Sequence, residues 1–502
     1  MLNTRGAPDW ASRLTARWSM LISVLCGIAI GLGQAPFDLP FLSIVAWPIL
    51  FWQLELTSSP RRAFWLGIMA GTAQFAVVLS WIVEPFLVDV ARHGWMAPFA
   101  LILMSAGLSL FWAFAFAGAR AVRTRFARLL MLAALLALLE WTRAWIFTGF
   151  PWAMLSHAWV EYPVAQIAAY IGPHGLSLIT LLICLLPALG WRGAGAAGAA
   201  LAIVWVVGAD RLSDAMPTRT QPLQVRIVQP NAAQHLKWQP DMLPVFYERL
   251  IRLTETPTAI SPDVVIWPET AAAFLLGERQ DLLDDMATAA NAPLIFGVRK
   301  REGWGQWFNS VAVLERDGTI SASHDKDHLV PFGEYIPFND FFARLGIGGL
   351  AVGNAGGFTA GTDSRLLQPQ SLPDFLVLIC YEAIFPTELR TAIRPEWLVL
   401  VTNDAWFGEW TGPYQHLAQG RFRAIEQGLP MARAANTGIS AMIDARGTVL
   451  QSIPLGMDGH LDAALPAALP ETLYVRFGNM LFLILGGILI AGSLIIHRIS
   501  RQ

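Results

Sequence analysis

Apolar runs fill both ends of this chain, and a different pattern occupies its middle. A helix needs about 20 largely apolar residues to cross the hydrocarbon core of a bilayer. Seven such stretches precede residue 210, at roughly 18–36, 39–57, 63–83, 95–118, 128–147, 168–190 and 193–209, and an eighth lies at 476–496. The first follows Arg5, Arg13 and Arg17, but it is long and soon followed by another, so it reads as a retained span rather than a cleaved signal peptide. The Ala- and Gly-rich 193–209 stretch has the weakest pattern. Between 210 and 470 the texture changes to short apolar runs such as "LQVRIVQ", "DVVIWPE", "APLIFGV", "NSVAVLE", "FLVLICYE" and "EWLVLVTND". They alternate with helical stretches such as "MLPVFYERLIRLTE" and "HLAQGRFRAIEQG". Near-continuous apolar strands of this kind suit sheets covered by helices. The expectation is a seven-helix membrane region (1–210), an α/β domain (220–470) and a closing span (476–496).

Orientation follows from the basic residues. With the N-terminus cytoplasmic, the cytoplasmic loops carry Arg61 and Arg62, then Arg120, Arg123, Arg125 and Arg128, then Arg192, and the tail adds Arg498 and Arg501. The opposite short loops offer Arg92 and Arg143, beside Glu84, Asp89 and Glu140. This bias places 220–470 on the outer side of the membrane.

Composition agrees. The 502 residues are 55% hydrophobic and only 14% charged, against about 25% charged in soluble domains. A net charge of −2 gives no electrostatic case for nucleic acid. Three cysteines cannot build a disulfide framework, and Cys26 and Cys184 sit in apolar runs.

Cys380 differs from those two. It ends the run "FLVLIC" and is followed at once by Tyr381 and Glu382. Two other segments carry ionisable groups: "VVIWPET" ends in Glu269, and "SHDKDHLVPFGEYIP" supplies Lys326 and Glu334. Side chains at the carboxyl ends of neighbouring strands converge in α/β folds. A thiol must lose its proton to attack a carbonyl, and a nearby carboxylate can accept it. A lysine ammonium with a backbone N–H can then hold the oxyanion. Glu, Lys and Cys form a complete set for acyl transfer.

The order WPE (267–269), K-x-H-L-V-P-F-G-E-Y-x-P (326–337), CYE (380–382) and TNDAWFG (402–408) resembles the nitrilase superfamily. With the spans around it, the chain resembles the apolipoprotein N-acyltransferases of bacterial envelopes along nearly its whole length. The resemblance implies a nitrilase-like αββα sandwich on eight transmembrane helices. It assigns Glu269 as base, Lys326 as oxyanion support and Cys380 as the acylated nucleophile. Glu334, Tyr381 and Glu382 match supporting positions, Trp238 and Trp152 match tryptophans along the acyl or lipid path, and Asn309 matches a core asparagine. It further implies a phospholipid acyl donor, phosphatidylethanolamine, and a diacylglyceryl-lipoprotein acceptor. The setting would be the bacterial inner membrane, with a periplasmic site. No cofactor, metal or nucleic-acid partner is expected, and the chain is expected to act as a monomer.

Plainer readings stand beside these. A cysteine at a strand end is ordinarily a small buried hydrophobe. Glu269 could cap a following helix. Lys237 and Lys300 read as solvated surface lysines. His324, Asp325 and His328 with Glu382 suggest a metal site, but no i, i+4 ligand pattern supports it. Arg421, Arg423, Glu426 and Arg433 recur at helical spacing and read as one salt-bridged face. "GIGGLAVGNAGG" (346–357) reads as an apolar lid, since it does not link a strand to a helix as a nucleotide loop does. Two other functions share much of the pattern: a membrane-anchored amidase, and a transporter or receptor with an inert outer domain. Eight spans suit a lipid donor better than a soluble amide, and few ionisable residues lie within the spans for a transport path.

Overall fold

The computed structural model describes residues 16–303, 305–337 and 357–501. Most of the 346–357 lid therefore lies outside the described residues. The chain forms two compact units: Met1–Val83 with Trp95–Ala215 and Glu471–Gln502, and Glu84–Gly94 with Met216–Pro470.

In the first unit each of the eight apolar stretches contains a helix: Ala16–Gly31, Phe41–Leu56, Pro60–Val78, Ala97–Arg120, Arg125–Arg143, Ala168–Leu185, Trp191–Ser213 and Met480–Ile499. Length and composition qualify fewer of them as crossings. Among the described residues four helices are long and apolar enough, and a fifth if the bent pair Pro60–Val78 and Ser80–Leu87 counts as one span. The reasons are physical. The first two helices have 16 residues each, about 24 Å at 1.5 Å per residue against a core of roughly 30 Å. The helix Arg125–Arg143 carries Arg125, Arg128, Glu140 and Arg143. The Ala- and Gly-rich stretch, weakest in sequence, is a 23-residue helix and qualifies. Glu140 and Arg143 have a structural use. Arg143 donates to the carbonyls of Phe150 (2.6 Å) and Trp152 (2.5 Å), and Glu140 accepts the Leu155 N–H at 2.9 Å. Together they pin the loop that carries Trp152.

Among the described residues the second unit holds thirteen strands: β1 (Gln224–Gln229), β2 (Val264–Ile266), β3 (Ala272–Leu275), β4 (Leu294–Glu302), β5 (Gln306–Leu314), β6 (Ile320–Asp325), β7 (Leu366–Leu367), β8 (Phe375–Ile379), β9 (Trp397–Thr402), β10 (Met431–Ala435), β11 (Ser440–Ile443), β12 (Val449–Ile453) and β13 (Gly459–Ala464). One sheet runs β13-β1-β2-β4-β5-β6, with β3 also paired to β4, and the other runs β12-β11-β10-β9-β8-β7. The centres are parallel: β1 with β2 and β2 with β4, then β8 with β9 and β9 with β10. The sheets face one another, β1 against β10 and β11, and β5 against β8. Leu250 and Leu253 of helix Leu243–Glu255, and Leu283, Met286 and Ala287 of helix Gln280–Ala290, bury their apolar stripe on the first sheet. Helix Gly412–Gln427 and Leu429 cover the second. This is the expected αββα sandwich. Every residue of β8 is buried, as a strand covered on both faces requires.

Candidate active site

The carboxyl ends of β2, β6 and β8 lead directly into the three residues singled out by sequence. Glu269 lies three residues beyond β2, in a turn where Thr270 takes φ +47°. Gly297 of β4 makes room for it: a Cβ there would stand 2.4 Å from Thr270 N and 2.6 Å from Glu269 Cα. No helix follows, so Glu269 is not a helix cap; the chain enters β3. Lys326 follows β6, and its N–H donates to Asn309 O at 2.8 Å. Its carbonyl accepts from Gly361 N at 2.8 Å, where a Cβ would meet Asp325 O at 2.1 Å. Cys380 follows β8 with φ +52°, a left-handed conformation that is costly for a residue bearing a Cβ.

The three converge in a dry site, with Glu269, Lys326 and Cys380 exposed by 7%, 1% and 6%. Lys326 Nζ lies 2.9 Å from Glu334 Oε1 and 3.8 Å from Glu269 Oε1. Asn309 Nδ2 donates to both carboxylates, at 2.7 Å to Glu269 Oε1 and 3.1 Å to Glu334 Oε1. The second oxygen of Glu269 accepts the Asn403 N–H (2.8 Å), and that of Glu334 accepts the Val330 N–H (2.8 Å). Burial pulls the Lys326 ammonium down, but the Glu334 and Glu269 carboxylates outweigh it and hold it above the ordinary lysine range. Burial pushes the Cys380 thiol well up and Glu269 adds to this, with Lys326 opposing. The resting nucleophile is thus a neutral thiol beside a carboxylate that can take its proton.

Glu382 ties two turns together. It is fully buried, and its carboxylate accepts the N–H of Ile379 (2.7 Å) and of Asp327 (3.0 Å), linking the end of β8 to the residue after Lys326. Burial would raise this carboxyl, but Arg365 and His324 hold it below the usual range. His324, Asp327 and Glu382 do come together with ligand atoms within 4.8 Å. The Arg365 guanidinium already supplies positive charge there, paired with Asp327 and Glu388 and 3.7 Å from Glu382. Tyr381 is buried, its ring against Phe385 and His328 at 5.2 and 5.6 Å. A cavity of about 690 Å³ opens beside Asp327, Arg365 and Glu388, and neither Glu269, Lys326 nor Cys380 lines it.

Trp238 is 38% exposed, with Arg299 stacked 4.2 Å over its ring. Trp152 belongs to the first unit, fully buried with Trp81 at 4.5 Å.

Two sequence expectations fail here. Lys237 is no surface lysine: it is 6% exposed, and its ammonium donates to Thr270 Oγ1 (2.8 Å) and the Glu269 carbonyl (3.2 Å). Burial lowers it to about 8, against the pull of Glu269. Lys300 is paired with Asp325 and Glu302 at 2.6 and 2.8 Å. The Arg-rich face also divides. Arg423 and Glu426 pair at 2.5 Å inside the helix, while Arg433 stands on β10 and pairs with Asp404. Sequence reasoning also missed Asn403, whose N–H holds the base, although "TNDAWFG" had marked its place.

Comparison with known proteins follows the same two-part division. Residues 26–186 match the apolipoprotein N-acyltransferase N-terminal domain, and residues 225–472 match the carbon-nitrogen hydrolase domain. An apolipoprotein N-acyltransferase of Bradyrhizobium diazoefficiens is 37% identical over 500 residues, covering 93% of each chain. One of Caulobacter vibrioides is 38% identical over 513 residues, covering 96% of this chain and 95% of its own. Among solved structures, a Nesterenkonia amidase from the nitrilase superfamily aligns with a TM-score of 0.37 and 16% identity, over 52% of this chain and 96% of its own. On the strength of the full-length relatives, this chain belongs to the apolipoprotein N-acyltransferase family, membrane enzymes whose catalytic unit has the carbon-nitrogen hydrolase fold.

Proposed function

We propose that the protein moves a fatty acyl chain from a phospholipid, phosphatidylethanolamine, to the α-amine of a lipoprotein's diacylglyceryl-cysteine, through a thioester on Cys380. The observation that carries this reading is the meeting of a buried thiol with a carboxylate and an ammonium that stand 3.8 Å apart. Glu269 takes the thiol proton as Sγ attacks the donor's ester carbonyl. The oxyanion that forms is held by Lys326 and by the N–H of Tyr381. Its collapse breaks the ester C–O bond, and Glu269 returns the proton to the departing lysophospholipid. The acceptor amine then attacks the thioester and gives a proton to Glu269, which returns it to the leaving thiolate.

In this reading residues 1–210 and 476–496 anchor the enzyme in the inner membrane, and the catalytic unit faces the periplasm as a monomer. Trp238, partly exposed, and Trp152 lie along the acyl path. The test is incubation with phosphatidylethanolamine labelled in its acyl chain, without acceptor. Label should appear on Cys380 with an equal amount of lysophospholipid, and should leave when a diacylglyceryl-cysteine peptide is added. Acylation that requires the acceptor would replace the two-step scheme with a ternary complex. Hydrolysis of small amides with no labelled protein would favour the amidase.

A further inference from the structure

Behind the nucleophile lies a buried polar cluster to which the acyl-transfer steps assign no proton. Thr402, Asp404, His416 and Arg433 are all 0% exposed. His416 Nε2 stands 3.1 Å from the carbonyl oxygen of Cys380. A carbonyl can only accept, so Nε2 carries the hydrogen and donates it. The ring is fixed from its other side, with Nδ1 2.8 Å from Asp404 Oδ1 and 3.3 Å from Arg433. Phe407 lies edge-on at 5.5 Å. Asp404 in turn pairs with Arg433 and accepts the Thr402 hydroxyl at 2.8 Å. Burial pushes the Asp404 carboxyl up, but Arg433 and His416 hold it at about 2, so it stays ionised. An Asp–His pair next to a catalytic cysteine would ordinarily be sought as its base. This one faces the cysteine's backbone.

The carbonyl it holds belongs to the strained residue, φ +52°. The Cys380–Tyr381 peptide is trans, and a trans peptide is planar, with its C=O and N–H pointing in opposite directions. Fixing the carbonyl therefore fixes the Tyr381 N–H. We infer that His416, set by Asp404 and Arg433, is a positioning residue for the oxyanion site, aiming the Tyr381 N–H by gripping the Cys380 carbonyl. The inference rests on the acyl-transfer reading in two respects: a tetrahedral oxyanion forms at Cys380, and the Tyr381 N–H is one of its donors.

Two variants differing by one methylene test it in the detergent-solubilised, full-length enzyme. In His416→Asn the amide can still meet Asp404 but stops short of the Cys380 carbonyl; in His416→Gln it reaches that carbonyl. Two reactions of the same thiol are then compared. The p-nitrophenol burst from p-nitrophenyl butyrate passes through an oxyanion, whereas alkylation by iodoacetamide does not. His416→Asn should slow the burst by about 100-fold, the cost of one oxyanion donor. Its alkylation rate should stay within about threefold of wild type, and His416→Gln should recover the burst to within about tenfold. A wild-type burst in His416→Asn would overturn the inference. So would a parallel fall of both reactions, or a His416→Gln burst as slow as that of His416→Asn. The ester needs no phospholipid recognition. A wild-type enzyme acylated by the ester but not by phosphatidylethanolamine would refute the proposed donor and leave this inference standing.

Discussion

Replacing Glu334 by Gln keeps the side chain's shape and removes one of two charges facing Lys326. Glu334 lies 2.9 Å from the ammonium and Glu269 3.8 Å. At an effective dielectric constant near 20, these distances correspond to attractions of about 6 and about 4 kcal/mol. More than half the compensation for a buried ammonium goes with Glu334, so Lys326 is drawn towards Glu269. Closing that pair from 3.8 to 2.9 Å strengthens it by about 1.3 kcal/mol, close to one pKa unit. The base then holds a proton less readily. Acyl-enzyme formation in a single turnover should slow by up to about tenfold. The Gln carbonyl stays with Lys326 and Asn309, which turns its amide N–H towards the Val330 N–H and loses that hydrogen bond. This costs about 1–3 kcal/mol of local stability, read as a lower unfolding temperature. Acyl-enzyme formation at the wild-type rate, with only the unfolding temperature lowered, would refute the reasoning and leave Glu334 as mechanical support.

Cys380→Ala should abolish the labelled acyl-enzyme and Cys380→Ser should fail as well, since a hydroxyl is far less acidic than a thiol; Cys26→Ala and Cys184→Ala, both in the helical unit, should retain it. Because burial and Glu269 push the Cys380 thiol up, its alkylation by iodoacetamide should keep rising with pH, and a plateau below pH 8 would contradict a neutral resting thiol. Lys237 titrates at about 8 in the fold against an ordinary 10.5, so its buried charge costs stability in full below pH 8 and the cost fades as pH rises towards 10.5. Urea denaturation should show wild type gaining on Lys237→Met by up to about 3 kcal/mol across that window; a constant difference would mean the ammonium is not desolvated.

The parts of this molecule visible in sequence are those whose signal is local. Eight apolar stretches announce eight helices because each is continuous, and β8 announces itself because "FLVLI" is buried on both faces. Glu269, Lys326 and Cys380 are legible because each sits at the end of such a run or within a short motif. What escaped depends on contacts distant in sequence. Lys237 lies in a polar stretch, and only its approach to the Glu269 turn, 32 residues on, shows that it is buried. The crossing count escaped because helix length and end charges, not apolarity alone, decide it. Arg433 was misplaced for a local reason. Gly428, at φ +64°, caps the helix and Pro430 follows, a stop signal that outweighs arginine spacing.

Two carboxylates around one lysine is an arrangement with a division of labour. In the proposed chemistry negative charge passes from Glu269 to the Cys380 sulfur, then to the carbonyl oxygen, and back. In water each relocation would require the solvent to reorganise. Here the groups are at most 7% exposed, so the compensation must come from fixed charge. Lys326 supplies it without moving, because Glu334, 2.9 Å away, anchors the ammonium while Glu269 stays 3.8 Å off. Were the lysine bound to Glu269 alone, taking up the thiol proton would break its only ion pair, and the base would resist. Glu334 carries the charge that never changes, which frees Glu269 to carry the one that does. Burial first, and the Glu269 charge second, keep the thiol neutral until an ester carbonyl is in place.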